Sequence, residues 1–180
     1  LWPLFRQASE ELLILNPYFI PGHDGVAVLT EAVSRGARVI VLTNSLASND
    51  VAIVHGHYAK YRKALLRAGV ELYELRVDRP TNTSSDFADE GDEAHMSLHV
   101  KTFIFDRKKT FIGSLNLDPR SVYQNTELGV VVEDATMAEE IATITIDRLP
   151  DIAYEVGLDE GDRLFWLGRD PVTHEITRYQ

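Results

Sequence analysis

The chain of 180 residues contains no cysteine, which excludes disulfide bonds, thiolate metal sites and cysteine nucleophiles. It also lacks an excess of basic residues, because 18 Lys and Arg stand against 28 Asp and Glu, a formal net charge of −10. Long-range charge attraction therefore does not bring DNA or an anionic lipid surface to the chain as a whole. No apolar run approaches the roughly 20 residues that span a bilayer, and no targeting segment is expected.

The residues that are present have ordinary globular composition, with 44% apolar and 26% charged side chains. A chain of this size buries a substantial core, so we expect one soluble domain over residues 1–180. The chain starts at Leu1 rather than at Met, inside a predicted helix. We therefore expect it to be a piece of a longer protein.

Apolar runs of strand length alternate with stretches of helical period along the first half of the chain, which predicts α/β architecture. The continuous apolar character of the runs predicts strands that are buried on both faces and lie as parallel neighbours. The predicted helices are 3–10, 25–35 and a third from the polar loop 43–50 to Ala68, and the predicted strands are 12–15, 38–42 and 70–75.

The second half of the chain has a different pattern. Residues 78–97 carry six acidic side chains against one basic, which predicts a long loop. A hairpin over 98–115, a strand over 126–132 and a helix beginning at a capping box of Thr136 and Glu139 follow. The pattern of residues 152–180 predicts a small antiparallel β-rich appendage, a hairpin, beside a mixed sheet with helices on both faces.

Polar side chains interrupt the predicted hairpin. His99 and Lys101 would share one strand face, with Cα atoms about 6.6 Å apart. A tight two-residue turn would pair Asp106 with Lys109, and the same register would place Lys101 opposite Ser114 and His99 opposite Asn116. Four polar side chains are thus expected to converge.

These side chains suit a phosphodiester, an anion that must be both neutralised and attacked. Lys101 supplies positive charge, while Ser114 and Asn116 supply neutral donors. His99 can act as nucleophile or as proton shuttle. An imidazole in either role needs a carboxylate to orient it, and Glu127, at the start of the next predicted strand, is the candidate.

The pattern His99-x-Lys101-x(4)-Asp106, followed by Gly113-Ser114-x-Asn116, resembles the HKD signature of the phospholipase D superfamily. The segments 16–21, 69–74 and 116–121 resemble the second, C-terminal half of bacterial cardiolipin synthases, and the resemblance covers about residues 5–150. It implies a phosphohistidine intermediate without metal or other cofactor, and a structural rather than catalytic role for Asp106 and Gly113.

Enzymes of this superfamily use two such motifs, one histidine acting as nucleophile and the other as general acid. This chain contains one, so the resemblance implies that the other is supplied by a missing N-terminal half or by a dimer partner. In the first arrangement His99 is the acid rather than the nucleophile. The implied substrates are phospholipids, phosphatidylglycerol with phosphatidylethanolamine as a further candidate, and the implied location is the cytoplasmic side of a bacterial membrane, as a peripheral protein.

Other polar residues have two interpretations each. Tyr18, Asn44 and Ser45 follow strand ends, where open α/β sheets bind ligands, but a simple turn or a capping loop explains them equally well. Residues 55–61 could line a headgroup path or belong to an ordinary amphipathic helix, and the basic turn 107–109 could touch phosphate or be a solvated tip. His95 lies four residues before His99, but on loop and strand rather than one helical face, so we expect no metal site.

Three functions remain open from the sequence. The first is phosphatidyl transfer of the cardiolipin synthase type. The second is a nuclease or other phosphodiesterase of the same superfamily, completed by homodimerisation, which the chain's net charge disfavours, so that nucleic acid is not the first expectation. The third is a lipid-binding module with a vestigial site, which the complete set of motif residues disfavours.

Overall fold

The computed structural model describes residues 2–48, 52–77 and 97–180. Within these ranges the chain forms a single nine-stranded sheet in the order β6-β5-β4-β1-β2-β3-β7-β8-β9. The strands are β1 (Glu11–Leu15), β2 (Arg38–Asn44), β3 (Glu71–Leu75), β4 (Thr102–Phe105), β5 (Lys109–Gly113), β6 (Gly129–Val132), β7 (Ala153–Leu158), β8 (Leu164–Arg169) and β9 (Ile176–Tyr179). The helices are α1 (Trp2–Gln7), α2 (Gly22–Ser34), α3 (Ala52–Ala59), α4 (Arg62–Arg67), α5 (Pro119–Tyr123) and α6 (Ala135–Ile152).

The three central strands β1, β2 and β3 are parallel neighbours, as predicted, and every other pairing is antiparallel. Successive side chains of a strand point to opposite faces. β1 is buried at every position and β2 at every position after Arg38, so both strands are covered on two sides. Leu12 and Ile14 pack on the face that α1, α2 and α4 cover, whereas Leu13 and Leu15 pack with α6 on the other. The mixed sheet with helices on both faces is therefore confirmed.

The C-terminal strands continue the main sheet. β7 pairs with β3 through Leu72 and Val156, and β8 and β9 follow as an antiparallel meander. The β-rich segment predicted from residue 152 is thus three strands joined to the sheet edge rather than a separate hairpin.

Two helix predictions differ from the structure. The single helix expected up to Ala68 is divided at a turn over residues 60–61, where the Tyr61 N–H bonds to the Tyr58 carbonyl at 2.9 Å in the tighter i to i+3 spacing. α6 begins after Asp134, whose carboxylate accepts the Met137 N–H at 3.0 Å and caps the helix instead of the predicted Thr136 box.

The acidic segment predicted as a loop lies outside the described residues except for Ser97, and so does His95. Within the described ranges, no helix is both long enough and apolar enough to cross a bilayer.

Candidate active site

The predicted catalytic residues lie at one edge of the sheet, beyond the carboxyl ends of the parallel strands. Leu15, the last residue of β1, pairs with Thr102, the first residue of β4, and Thr102 pairs with Ile112 near the end of β5. The residues before β4 and after β5 therefore both emerge beside the end of β1. This is the edge at which open α/β sheets bind ligands.

The hairpin register differs by one residue from the prediction. Phe105 pairs with Lys109 rather than with Thr110. Asp106 and Arg107 have φ of 50° and 51°, and the Lys108 N–H bonds to the Phe105 carbonyl at 3.0 Å. The turn therefore contains three residues instead of two.

The register shift changes the pairing at the site. The Gly113 N–H bonds to the Lys101 carbonyl at 3.1 Å, so Lys101 lies opposite Gly113 and not opposite Ser114. β4 begins at Thr102, which leaves His99 and Lys101 before the strand rather than on it. The predicted pairing of His99 with Asn116 is likewise wrong, because the ladder does not extend to either residue in the described part of the chain.

The side chain of Lys101 bonds to the backbone of His99. The Lys101 Nζ donates a hydrogen bond to the His99 carbonyl at 2.9 Å. Partial burial lowers the pKa of Lys101, while the negative charge of Glu127 acts in the opposite direction. Lys101 is half-buried and His99 is exposed, so the imidazole is open to a ligand at this edge of the sheet.

Ser114 and Glu127 form the other side of the site. The Ser114 Oγ donates to the Glu127 Oε2 at 2.5 Å and accepts the Leu128 N–H at 3.1 Å, and Asn125 donates to Glu127 at 3.3 Å. The Ser114 hydrogen bond holds the pKa of Glu127 below its usual value, with Lys101 contributing in the same direction. Glu127 thus contacts Ser114, and its role as the residue that orients His99 stays a prediction.

A residue with no predicted role, Asn16, holds the backbone on either side of Asn116. Asn16, fully buried at the end of β1, donates its amide to the Leu115 carbonyl at 3.1 Å and accepts the Leu117 N–H at 3.0 Å. These bonds fix the backbone on both sides of Asn116. The Asn116 Oδ1 is buried without a hydrogen-bond partner in the described structure. The signal for Asn16 was its place directly after a buried strand.

Two of the three candidate substrate contacts are buried and engaged. The Asn44 side chain bonds to Ser97 and Leu98, and the Ser45 Oγ bonds to the Ser48 Oγ at 3.1 Å. Each residue is at least nine-tenths buried, and its contact with substrate stays a prediction. Tyr18 is half-buried in the segment after β1, and its contact with substrate stays a prediction.

Asp106 lies at the opposite end of the hairpin from the site. Its Oδ1 accepts the N–H groups of Ser9, Glu10 and Glu11 at 3.0, 2.8 and 3.0 Å. Partial burial acts to raise the pKa of Asp106, but these hydrogen bonds outweigh it, so the pKa lies below its usual value. The geometry supports the structural role that the family resemblance implies.

The basic turn also lies at that opposite end, and each of its side chains forms an ion pair. Arg107 bonds to Glu11 at 2.8 Å, Lys108 to Glu10 at 2.7 Å and Lys109 to Glu133 at 2.7 Å. The turn therefore does not serve the phosphate site.

A buried polar cluster, which we call the Arg62 cluster, joins α3, α4, β3 and β8 and was not predicted. Arg62 and Glu74 form an ion pair at 2.8 Å with both side chains more than nine-tenths buried. The Trp166 Nε1 donates to Glu74 at 3.0 Å, and Arg62 also contacts His55 and lies over the Tyr58 ring.

Burial accounts for the pKa values in the Arg62 cluster. It lowers the pKa of His55 to about 4, with the Arg62 charge acting in the same direction. Burial also raises the pKa of Glu74 against the effect of Arg62, and raises that of Tyr58. His55 and Tyr58 are buried, and a contact of residues 55–61 with a substrate headgroup stays a prediction. The five residues of the cluster are scattered between positions 55 and 166, so no local sequence pattern predicted it.

Comparison with known proteins identifies the family of the chain. The sequence model of the family described as "Cardiolipin synthase, PLD-like domain" matches residues 1–147. The chain is 46% identical over 171 residues to cardiolipin synthase C of Escherichia coli K12, covering 94% of this chain and 36% of that protein. It is 26% identical over 162 residues to cardiolipin synthase A of Proteus mirabilis, covering 90% of this chain and 29% of that protein.

Solved structures share the fold. Nuc from Salmonella typhimurium, a phospholipase D family member, aligns with a TM-score of 0.65 at 17% identity, covering 87% of this chain and 88% of that one. Phosphatidylserine synthase of Haemophilus influenzae aligns with a TM-score of 0.59 at 16% identity, covering 82% of this chain and 34% of that one. The chain spans about a third of the length of the cardiolipin synthases it matches. From the match over residues 1–147 and the 46% identity, the chain belongs to the cardiolipin synthase family of phospholipase D-like domains.

Proposed function

We propose that this chain is the C-terminal catalytic half of a phosphatidyltransferase of the cardiolipin synthase type. The observation that carries the proposal is the meeting of Lys101, Ser114 and Glu127 at the sheet edge where His99 is exposed. The 46% identity to a cardiolipin synthase supports lipid transfer over the nuclease alternative. The likeness to Nuc, at 17% identity, concerns the fold alone.

The proposed chemistry proceeds in two displacements at phosphorus. One histidine attacks a phospholipid phosphodiester, forming a phosphorus–nitrogen bond as the phosphorus–oxygen bond to the leaving alcohol breaks. The second histidine gives that alcohol its proton. It then takes the proton of an acceptor alcohol, whose oxygen displaces the first histidine. His99 is one of the two.

The remaining motif residues would bind the phosphoryl group and stabilise its negative charge. The Lys101 ammonium and the Asn116 amide would bind the phosphoryl oxygens, whose negative charge grows in the transition state. Ser114 would hold the Glu127 carboxylate in place and add a donor. The chemistry requires no metal or organic cofactor.

In this proposal a partner supplies the second histidine. The outermost strand on the side of the site, β6, offers a surface on which that partner can bind. β6 is at one side of the sheet and has a free edge. Exposed apolar side chains lie on it and next to it: Leu128 is 81% exposed, Val130 57% and Ile112 42%. Apolar side chains contiguous with an open strand edge are typical of an interface. We propose that the N-terminal half of the enzyme packs here, with a second copy of the chain as the alternative.

The proposed substrates are phosphatidylglycerol, as donor and acceptor, and phosphatidylethanolamine as a second donor or acceptor. The protein would work as a peripheral enzyme on the cytoplasmic face of a bacterial membrane. Residues 99–120 carry five basic and two acidic side chains, so the motif region is locally positive in an acidic chain. Three of the five basic residues, Arg107, Lys108 and Lys109, form ion pairs at the opposite end of the hairpin. The positive charge that an anionic phosphodiester would meet at the site is therefore that of Lys101.

The test incubates the full-length protein with vesicles of phosphatidylglycerol, with and without phosphatidylethanolamine, and identifies the products by mass. We expect diphosphatidylglycerol from the wild type and none from His99→Ala. His174→Ala, in the turn between β8 and β9, is the matched control and should retain wild-type activity. Wild-type rates in His99→Ala, or cleavage of DNA in place of lipid, would contradict the proposal.

A further inference from the structure

The Asn44 amide makes three hydrogen bonds to the two residues that lead into His99. Its Nδ2 donates to the Ser97 Oγ at 3.1 Å and to the Leu98 carbonyl at 3.3 Å, and its Oδ1 accepts the Leu98 N–H at 2.8 Å. Asn44 is 1% exposed. A buried amide that satisfies both backbone groups of one residue fixes that residue's position and orientation.

Leu98 immediately precedes His99, and the regular ladder of β4 begins only at Thr102. The backbone at 98 is therefore held by a side chain at the end of β2 instead of by a neighbouring strand. We infer that Asn44 is a positioning residue for His99, setting where the imidazole meets the phosphate. The inference deepens the proposed function and rests on it for the role of His99.

The residue type fits this role. Leu98 presents one donor and one acceptor, and only a carboxamide offers both complements at a fixed spacing. A carboxylate could accept the Leu98 N–H but would face the Leu98 carbonyl with no hydrogen to donate. Asn16 likewise uses its donor and its acceptor, for Leu115 and Leu117 respectively. An asparagine at the end of β1 and one at the end of β2 thus each hold one segment of the motif.

The backbone of Asn44 is itself held in the sheet. Asn44 is the last residue of β2 and pairs with Leu75 of β3. The amide that contacts the catalytic segment is therefore carried by a strand of the central sheet. Rigid support of this kind matters because a misplacement of about 1 Å at a reacting group costs about 100-fold in rate.

Two substitutions in the full-length protein test the inference. Asn44→Ala removes all three hydrogen bonds, and Asn44→Asp removes the donors only. We expect each to lower kcat for phosphatidylglycerol by about 100-fold at neutral pH with KM unchanged, because the substrate's other contacts remain. Val39→Ala, a buried truncation on the same strand, is the control for general destabilisation and should leave kcat unchanged.

The pH profile separates positioning from a merely structural effect. A protonated carboxyl has an O–H donor, so the kcat of Asn44→Asp relative to wild type should rise as pH falls. The same ratio for Asn44→Ala should stay flat. Amide hydrogen exchange over residues 98–101 gives a readout that needs no activity, and it should accelerate in both Asn44 variants but not in Val39→Ala.

The possible outcomes are distinguishable. Unchanged exchange over 98–101 in Asn44→Ala overturns the inference whether or not the protein is active. A kcat within about threefold of wild type in both variants overturns it as well. Accelerated exchange together with a wild type inert on lipid supports the anchoring by Asn44 and contradicts the proposed function instead.

Discussion

The Ser114 hydroxyl donates to the Glu127 carboxylate at 2.5 Å and accepts the Leu128 N–H at 3.1 Å, joining the end of β5 to the start of β6. One hydroxyl thus uses its proton to fix a carboxylate and its lone pair to fix the backbone beside it. The pKa of Glu127 lies below its usual value, first because of this hydrogen bond and to a smaller degree because of Lys101. Glu127 therefore stays ionised to a lower pH than an ordinary glutamate does.

The pH dependence of catalysis should reflect this pair. A lowered carboxyl pKa means that activity requiring ionised Glu127 persists as pH falls and is lost only as pH passes through the lowered pKa. In Ser114→Ala the main cause of the lowering is absent, so the acid limb of kcat should move upward toward an ordinary glutamate, about pH 4.3. Ser34→Ala on α2 is the matched control. An acid limb at the same pH in Ser114→Ala and wild type would contradict the assignment of Glu127.

Asp106 should contribute to stability rather than to chemistry. Asp106→Ala leaves three backbone N–H groups at the start of β1 without their acceptor, and we expect the free energy of unfolding to fall by about 2 kcal/mol at pH 7. Asp106→Asn keeps one acceptor oxygen and should lose less. Urea denaturation of the full-length protein measures both, with the exposed Asp147→Ala on α6 as control.

The same carboxylate predicts a direction with pH. The folded-state pKa of Asp106 is lowered, so its stabilisation is present above the unfolded-state pKa and is lost as pH falls through the folded value. The stability difference between wild type and Asp106→Ala should therefore shrink in acid. A difference that is constant down to low pH would contradict the role of the charge.

The parallel core was predictable from the sequence because its signal is local. Runs such as 12–15 and 39–42 are apolar at every position, a pattern typical of strands that are buried on both faces. The hairpin register was not predictable in the same way. It depends on the left-handed backbone conformations of Asp106 and Arg107. Residues other than glycine rarely adopt such conformations, and no hydrophobic periodicity indicates them.

The candidate site shows the same division. The spacing of His99, Lys101 and Asp106 identified the motif, yet the side chains that hold it, Asn16 and Asn44, lie more than 50 residues away along the chain. Their role follows from the neighbouring positions of β1, β2 and β4 in the sheet, which is tertiary information. Long-range hydrogen bonds of this kind leave no local pattern.

The buried ion pair of Arg62 and Glu74 should be costly to break. Arg62→Met or Glu74→Gln removes one charge and leaves the other buried, and we expect each to lower the free energy of unfolding by about 3–5 kcal/mol. The double variant should lose less than the sum, since no unpaired charge remains. Urea denaturation measures all three.

An exposed ion pair provides the contrast for that experiment. Arg67 and Asp162 interact at 2.5 Å, but their side chains are 58% and 46% exposed. Arg67→Ala should therefore cost less than about 1 kcal/mol. Equal losses from Arg62→Met and Arg67→Ala would mean that burial does not determine the contribution of these pairs.

Gly113 should be essential for stability and activity, because the main chain at Leu128 and Gly129 lies too close to leave room for a side chain. A Cβ at this position would lie 2.6 Å from the Leu128 carbonyl oxygen and 2.8 Å from the Gly129 Cα, both on the main chain of the neighbouring segment. Gly113→Ala must therefore displace β6 from β5, at a cost of roughly 1–3 kcal/mol in unfolding free energy. It should also lower kcat, because Ser114 and Glu127 lie on the two segments that separate.

The matched control for Gly113→Ala is Gly56→Ala on α3. A Cβ at Gly56 meets nothing within 4 Å, and alanine is the better helix former by about 1 kcal/mol, so this variant should be as stable as wild type or more so. Thermal unfolding and lipid transfer of the two variants, measured side by side, separate close approach from the general effect of replacing glycine. If Gly113→Ala retained both wild-type stability and wild-type kcat, the tight contact between β5 and β6 would have no part in forming the site.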